Sequence, residues 1–93
     1  MDVRYRKQFK KDYRLMLKRG VDIGKLDRVI ITLAIPEALD PSHRNHFLIG
    51  NYAGCQECHI APDWLLIYEY ETLDSGQQQL VCIRTGSHAD LFE

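Results

Sequence analysis

The sequence has no hydrophobic run that could span a membrane, few cysteines and almost no basic residues in its second half. Its longest apolar run, residues 29–35, is interrupted by Thr32 and is much shorter than the ~20 residues that a transmembrane helix needs. Residues 1–7 lack the apolar core of a secretory signal. A cytoplasmic location is therefore expected, and in that compartment the three cysteines are expected to be free thiols.

The composition predicts a single globular domain over residues 1–93, with 45% hydrophobic and 27% charged residues. Its charge is unevenly distributed along the chain. Residues 1–28 carry ten Lys and Arg against four Asp, whereas residues 29–93 carry two basic and nine acidic residues. This basic N-terminal part could bind phosphates or an acidic partner. A solvated amphipathic helix without any partner would have the same composition.

A short strand around residues 3–5 and a basic helical hairpin are predicted in the N-terminal part. The first helix has an apolar stripe at helical spacing, formed by Phe9, Tyr13, Met16 and Leu17. Gly20 is expected to end this helix. The second helix is expected to begin near Asp22 and to end before Pro36. Its apolar stripe is formed by Leu26, Val29, Ile30 and Leu33.

After Gly54 the spacing of apolar residues changes to that of strands. We predict strands over residues 55–60, 64–70 and 80–85, a tight turn at 61–63, a hairpin loop at 73–77 and a short strand at 46–48. A final helical turn is expected to pack Leu91 and Phe92 onto the sheet. The predicted fold class is α+β with the order β-α-α-β-β-β(β). Its two N-terminal helices are expected to pack on one face of a small antiparallel sheet and to leave the other face open.

Residues with proton-transfer or phosphate-binding chemistry gather near the predicted strand ends. Alternation places Arg84 on the same side of its strand as Leu80 and Cys82. If His59 and Arg84 both face the open side of the sheet, they line a shallow concave surface. Its rim is expected to consist of His46, Asp63 and His88.

Taken singly, each of these side chains has an ordinary structural interpretation. Asp63 can cap the turn after Pro62, and Arg84 can pair with an acid across the sheet. Trp64 can be a core residue because of its size. Histidine, however, exchanges protons near neutral pH, so the convergence of three imidazoles and a carboxylate would indicate acid–base chemistry.

Two cysteines and two histidines have spacings that occur in haem and zinc sites. Cys55-x-x-Cys58-His59 matches covalent haem attachment, but that chemistry needs an exported protein and a helical segment, whereas a strand is predicted here. His43-x-x-His46 with Cys55-x-x-Cys58 would supply four zinc ligands. Because a strand places Cys55 and Cys58 on opposite faces, two semi-buried thiols are the favoured interpretation, with a zinc-stapled domain as the alternative.

Two segments together resemble the signatures of YafQ-type toxins in the RelE/ParE superfamily. They are residues 59–68, His-Ile-Ala-Pro-Asp-Trp-Leu-Leu-Ile-Tyr, and residues 84–92, Arg-Thr-Gly-Ser-His-Ala-Asp-Leu-Phe. Residues 46–52 resemble the segment that precedes the sheet in that family, and the N-terminal strand with two basic helices also fits. The resemblance spans nearly the whole chain and implies a RelE-like fold.

The resemblance also implies a function and partners. It implies a type II toxin that cuts mRNA during translation by the ribosome. It further implies a ribbon-helix-helix antitoxin of the RelB/DinJ type that wraps the toxin and carries the DNA-binding element, with no role for a membrane. The family's functional set corresponds to six residues, all of which are present: His46, His59, Asp63, Trp64, His88 and Phe92.

A metal-independent reaction is compatible with these residues, and no cofactor is expected. RNA is cleaved when its own 2′-hydroxyl attacks the adjacent phosphate, a step that needs a base, an acid and positive charge. We expect His88 to be the acid and His46 the base, whereas His59 and Asp63 orient and charge the site. The expected substrate contacts are a phosphate on the fork of Arg84 and splayed bases stacked on Trp64 and Phe92.

Two other functions remain open at this point. A ParE-like toxin with the same fold would act on a topoisomerase, because a fold does not fix a function. A zinc-stapled binding module would have no catalytic activity. The histidine set discriminates against the first alternative, since a topoisomerase inhibitor has no evident need for it.

Overall fold

The computed structural model describes residues 1–35, 46–48 and 50–92 of the chain. Its elements follow in the order β1 (Asp2–Tyr5), α1 (Lys7–Lys18), α2 (Ile23–Ala34), β2 (His46–Phe47), a 3-10 turn (Gly50–Tyr52), β3 (Gln56–Ala61), β4 (Trp64–Thr72), β5 (Gln78–Gly86) and α3 (His88–Phe92). Among these helices, none has the length and apolar character that crossing a membrane requires. The α+β class and the predicted order of elements are confirmed.

Helix α1 buries a different stripe from the predicted one. Phe9 and Met16 are buried as expected, but Asp12 takes the intervening position in the interface. Leu17 is exposed, so its predicted core position was wrong. The residues at i, i+3 and i+7 face the sheet, and Leu17 falls one residue beyond them. The helix ends as predicted at Gly20, which adopts a φ of 77° that favours glycine.

Helix α2 agrees closely with the sequence pattern. Asp22 precedes its first turn as predicted, although its side chain makes no capping hydrogen bond. The helix ends at Ala34, two residues before Pro36, which lies outside the described part of the chain. All four residues of the predicted stripe are buried: Leu26, Val29, Ile30 and Leu33.

The sheet has five strands in the order β1-β5-β4-β3-β2. The pairs β2–β3, β3–β4 and β4–β5 are antiparallel, as expected for a meander. Strand β1 pairs in parallel with β5, so a purely antiparallel sheet was a wrong prediction. The chain leaves β1 directly into α1 and forms no hairpin there. Strand β1 thereby occupies the sheet edge beside the last strand, in the same direction.

Apolar residues pack on both faces of this sheet. The larger core lies between the helices and one face, where Phe9 and Leu26 pack with Leu66 and Tyr68. The opposite face, which was expected to be open, carries a second cluster formed by Cys55, Leu65, Ile67 and Leu91. This prediction was wrong because Leu48, Tyr52 and α3 pack against that face and cover part of it.

Strand β5 contains an irregularity that reverses its alternation. Ile67 of β4 lies opposite Arg84, whereas the next residue, Tyr68, lies opposite Cys82. Ile83 is therefore an extra residue on β5, as in a β-bulge. As a result Arg84 does not share a face with Cys82, contrary to the prediction from strict alternation.

Candidate active site

The candidate site is built around a hydrogen-bonded His–Asp pair that joins the β3–β4 turn to the start of α3. His88 Nδ1 lies 2.7 Å from Asp63 Oδ1, and the same oxygen accepts a hydrogen bond of 3.0 Å from the His88 backbone amide. The His88 side chain is 54% exposed. The two hydrogen bonds from His88 lower the pKa of Asp63. Because Asp63 engages Nδ1, Nε2 is the ring nitrogen of His88 that can exchange a proton with a ligand.

Three further rings extend this pair into a continuous surface. His59 lies opposite Leu65 in the β3–β4 ladder. The ring centroid of His88 lies 6.0 Å from that of His59 and 6.2 Å from that of Phe92. Tyr52 meets Phe92 edge-on with centroids 5.8 Å apart. The structure therefore brings His59, Asp63 and His88 together, as the convergence hypothesis required.

Phe92 is oriented differently from the prediction. We expected both Leu91 and Phe92 to pack onto the sheet, but only Leu91 is buried. Phe92 is 46% exposed beside the imidazole of His88. An exposed ring in this position is available to stack on a planar ligand.

Trp64 does not belong to this surface. It is only 5% exposed and packs in the core between the sheet and the helices. Its indole nitrogen donates a hydrogen bond of 2.9 Å to Thr85 Oγ1, and that hydroxyl donates to the Leu65 carbonyl. The expectation that Trp64 stacks on a base was wrong. As the first residue of β4, it faces the helices, whereas Leu65 faces the site.

Arg84 is likewise engaged within the protein rather than free for a phosphate. Its Nε and Nη2 donate hydrogen bonds of 3.0 and 2.9 Å to the two oxygens of Asp12 on α1. A hydrogen bond to Tyr52 also holds it, and Asp12 is the main reason why the pKa of Arg84 is raised. The expected phosphate contact was therefore wrong, because the buried Asp12 requires a cationic partner.

Asp12 is a residue that the sequence analysis missed. It is buried, and besides Arg84 it accepts hydrogen bonds from the Thr85 amide and from Gln8 Nε2. It thereby joins α1 to the end of β5, the strand that leads into α3. A signal was present in the sequence, since Asp12 is the only acidic residue within α1, whose polar residues are otherwise mostly basic.

Another ion pair, between Arg19 and Asp90, anchors α3 itself. Ser87 and Asp90 form a reciprocal capping box, in which the Ser87 amide donates to Asp90 Oδ2 and the Asp90 amide donates to Ser87 Oγ. Arg19, just beyond α1, donates two hydrogen bonds of 2.6 and 3.0 Å to the same carboxylate. At Gly86 a Cβ would lie 2.9 Å from Asp90, so a side chain there would displace the box. The S-x-x-D spacing was the sequence signal for this arrangement.

The anchor of α3 should weaken at acidic pH. Arg19, followed by the Ser87 amide, holds the pKa of Asp90 well below its usual range. A lowered folded-state pKa means that the Asp90 carboxylate stabilises the fold above the unfolded-state pKa of about 3.9, and that this contribution is lost as the pH falls through the folded-state pKa. The free energy of unfolding of Asp90→Asn should therefore lie below that of the wild type at neutral pH and approach it below about pH 4.

Urea unfolding measured across this pH range tests that expectation. Asp74→Asn, in the exposed β4–β5 loop, is the matched control, and its free energy of unfolding should stay close to that of the wild type. A difference between Asp90→Asn and the wild type that does not change with pH would contradict the account.

The remaining predicted residues are only partly placed. The backbone of His46 lies opposite Glu57 in the β2–β3 ladder, two residues along β3 from His59, but its side chain lies outside the described part. His43 lies outside it entirely. Cys55 and Cys58 belong to the two different cores, as strand alternation predicted.

Burial raises the pKa of each of the three cysteine thiols in the sheet region. All three cysteines are free and buried, and burial raises the pKa of Cys58 to about 12. Within residues 1–35, 46–48 and 50–92, three or more His, Cys, Asp or Glu side chains nowhere gather closely enough to hold a metal ion. The zinc-staple alternative loses its cysteine pair, because Cys55 and Cys58 point into opposite cores.

Comparison with known proteins agrees with this fold. Residues 1–93 match the family described as the bacterial toxin of type II toxin-antitoxin system, YafQ. The chain is 38% identical over 93 residues to the Escherichia coli K12 protein named mRNA interferase toxin YafQ, covering 98% of this chain and 95% of that protein.

Two solved structures show the same architecture. A chain of the E. coli DinJ-YafQ complex superposes with a TM-score of 0.83 at 35% identity, over 99% of this chain and 98% of that chain. A metal-bound toxin from Helicobacter pylori superposes with a TM-score of 0.85 at 34% identity, over 99% of each chain. The fold is thus that of a toxin from a type II toxin-antitoxin system. Within that class, this chain belongs to the YafQ family.

Proposed function

We propose that this toxin is a ribosome-dependent endoribonuclease that cleaves mRNA by metal-independent acid–base catalysis and so inhibits translation and growth. The observation that carries the proposal is the His88–Asp63 pair, exposed beside His59 and Phe92. The name of the E. coli relative, mRNA interferase toxin YafQ, supports the choice of mRNA as the substrate.

The proposed reaction is a transesterification within the RNA. The 2′-oxygen attacks the adjacent phosphorus and loses its proton to a base, while the bond to the 5′-oxygen breaks and that oxygen takes a proton from an acid. The products are a 2′,3′-cyclic phosphate and a 5′-hydroxyl. His88 Nε2 is the acid, and His46 is assigned as the base, each contributing about 10²–10⁴-fold to the rate.

Asp63 orients His88 for this step. Its carboxylate holds both the ring nitrogen Nδ1 and the backbone amide of the same residue. With the guanidinium of Arg84 occupied by Asp12, the positive charge near the phosphate is assigned to the imidazolium form of the catalytic acid, and His59 is assigned an orienting role beside it. Phe92 offers its exposed ring to an unstacked base.

The proposed setting is the cytoplasm, with a cognate antitoxin and the ribosome as partners. The E. coli DinJ-YafQ toxin-antitoxin complex supports an antitoxin as a partner. In this proposal the antitoxin is of the ribbon-helix-helix type, so contact with DNA would be indirect, through the antitoxin. The basic residues of α1 and its surroundings favour contact with ribosomal RNA, an attraction that should weaken as salt is raised.

A reconstituted translation assay tests the metal independence of the proposed reaction. Cleavage of mRNA should persist when a chelator selective for transition metals is added in excess, because protein imidazoles carry the protons. Such a chelator leaves the Mg²⁺ on which ribosomes depend. Untreated ribosomes without the toxin, and toxin with mRNA but no ribosomes, are the controls.

Each of three results would contradict one part of the proposal. Loss of cleavage in the chelator, restored by one added metal, would favour a metal-dependent reaction. Equal cleavage of free mRNA would remove the ribosome dependence. Growth arrest without RNA cleavage, together with inhibition of DNA supercoiling by a topoisomerase, would favour the ParE-like alternative.

A further inference from the structure

A pocket of about 340 Å³ lies among β1, α1 and α2, apart from every residue of the candidate active site. Three aromatic rings and two cations line it, together with one carboxylate: Tyr5, Phe9, Tyr13, Lys10, Arg14 and Asp27. Its volume falls within the range of sites for small organic ligands. The proposed RNA-cleavage mechanism uses none of these side chains.

The aromatic wall of the pocket suits a flat ring. Tyr5 stacks on Phe9 with ring centroids 5.4 Å apart and an interplanar angle of 24°, and Phe9 packs against Tyr13 at 6.1 Å. Phe9 is buried and fixes this stack, whereas Tyr5 remains 43% exposed. A base that enters the pocket can therefore extend a stack that already exists within the protein, as in proteins that bind single-stranded nucleic acids.

Positive charge lies at the same pocket. Lys10 and Arg14 are four residues apart on α1, so their side chains project from one face of the helix. Both are exposed and line the pocket. They belong to residues 1–28, which contain ten basic and four acidic residues. The combination of a stacking wall and two cations is complementary to a nucleotide, which has a planar base and an anionic phosphate.

Asp27 distinguishes a nucleotide from an acidic peptide as the occupant. Its carboxylate lines the pocket and accepts a hydrogen bond from the Tyr13 hydroxyl at 3.2 Å. Its charge repels any anion, so the phosphate of a nucleotide is placed at Lys10 and Arg14, while the remaining lone pairs of Asp27 accept N–H groups from the base edge. The acidic side chains of a peptide offer no N–H donor to this carboxylate. Guanine presents two adjacent N–H donors on its Watson–Crick edge, whereas uracil presents only one.

We propose that this pocket binds one unstacked nucleotide of single-stranded RNA, with guanine preferred, at a site separate from the candidate active site. The base stacks against Tyr5 with its N–H edge toward Asp27, and the phosphate meets Lys10 and Arg14. The site holds RNA to the helical side of the toxin, and it does not require that the toxin cleave RNA.

Titration of the ¹⁵N-labelled chain with guanosine 5′-monophosphate tests the proposal directly. Amide resonances of the β1–α1 segment and around Asp27 should shift, and the nucleotide should bind more tightly than uridine 5′-monophosphate or inorganic phosphate. Tyr5→Ala should weaken binding about tenfold through the lost stacking. Tyr5→Leu, which keeps apolar volume, should weaken it similarly and guards against a general loss of folding.

Matched variants distinguish binding in this pocket from a general attraction of the nucleotide to the basic residues of α1. Lys10→Glu should weaken binding of guanosine 5′-monophosphate, whereas Lys11→Glu makes the same charge change one residue away, outside the pocket lining, and should have a much smaller effect. Asp27→Asn should remove the preference for the guanine nucleotide while binding of the uracil nucleotide persists.

Three outcomes would overturn the proposal. Inorganic phosphate that binds as tightly as the nucleotide would indicate an anion site only. Resonance shifts confined to the surroundings of His59 and His88 would place the nucleotide in the candidate active site. A glutamate-rich peptide with one tryptophan that binds more tightly than the nucleotide, and equally to Asp27→Asn, would indicate a protein partner.

Discussion

Replacing His88 by alanine should reduce ribosome-dependent mRNA cleavage by about 10²–10⁴-fold, because the leaving 5′-oxygen loses its proton donor. Antitoxin binding and stability should change little. The imidazole is more than half exposed, and the anchor of α3 uses Ser87, Asp90 and Arg19 rather than the His88 ring. Toxicity in cells, cleavage in the translation assay and affinity for the antitoxin are the three measurements.

Two further variants are compared with His88→Ala. Asp63→Asn keeps an oxygen that can accept the His88 amide but removes the charge, so its loss of cleavage should be smaller than that of His88→Ala. His43→Ala changes a histidine that the mechanism does not use and should cleave normally. Cleavage by His88→Ala at the wild-type rate would remove His88 from the mechanism.

Replacing Asp12 by alanine should produce a large loss of stability. The substitution leaves the Arg84 guanidinium and the Thr85 amide without their buried acceptor. Breaking one partner of a buried pair costs about 3–5 kcal/mol. In a domain of this size that corresponds to a fall in Tm of about 12 °C or more. Thermal unfolding followed by circular dichroism measures it.

Two control variants test whether the loss of stability comes from the buried pair of Asp12 and Arg84 and not from the loss of an aspartate as such. Asp22→Ala removes an exposed carboxylate that makes no capping hydrogen bond, and its Tm should stay close to that of the wild type. The double variant Asp12→Leu with Arg84→Met replaces both charges by apolar groups and should recover much of the stability lost in Asp12→Ala. An unchanged Tm in Asp12→Ala would contradict the importance of this pair.

Local periodicity was sufficient to predict most elements of the fold. The stripe of α2 is buried throughout, and the strands lie close to their predicted ranges because each kind of element has its own apolar spacing. The meeting of His59, Asp63 and His88 also followed from alternation and from the turn at residues 61–63. The helical and strand patterns depend on residues near one another in the chain, and the antiparallel order of the strands then brings His88 to His59 and Asp63.

The errors arose where distant contacts override local patterns. Trp64 has the aromatic character of a stacking residue, but its indole forms a buried hydrogen bond to Thr85. Arg84 was assigned to a phosphate because its partner, Asp12, lies in a helix far away in sequence. The bulge at Ile83 could not be predicted, since no glycine or proline marks it.

The most direct test of the proposed chemistry uses an mRNA with one altered sugar. Ribosomes carrying an mRNA with a 2′-deoxy nucleotide on the 5′ side of the scissile bond should show no cleavage there. The matching all-ribose mRNA should be cut to a 2′,3′-cyclic phosphate and a 5′-hydroxyl. Cleavage of the deoxy-substituted bond at the normal rate would contradict attack by the 2′-hydroxyl, and with it the roles assigned to the histidines.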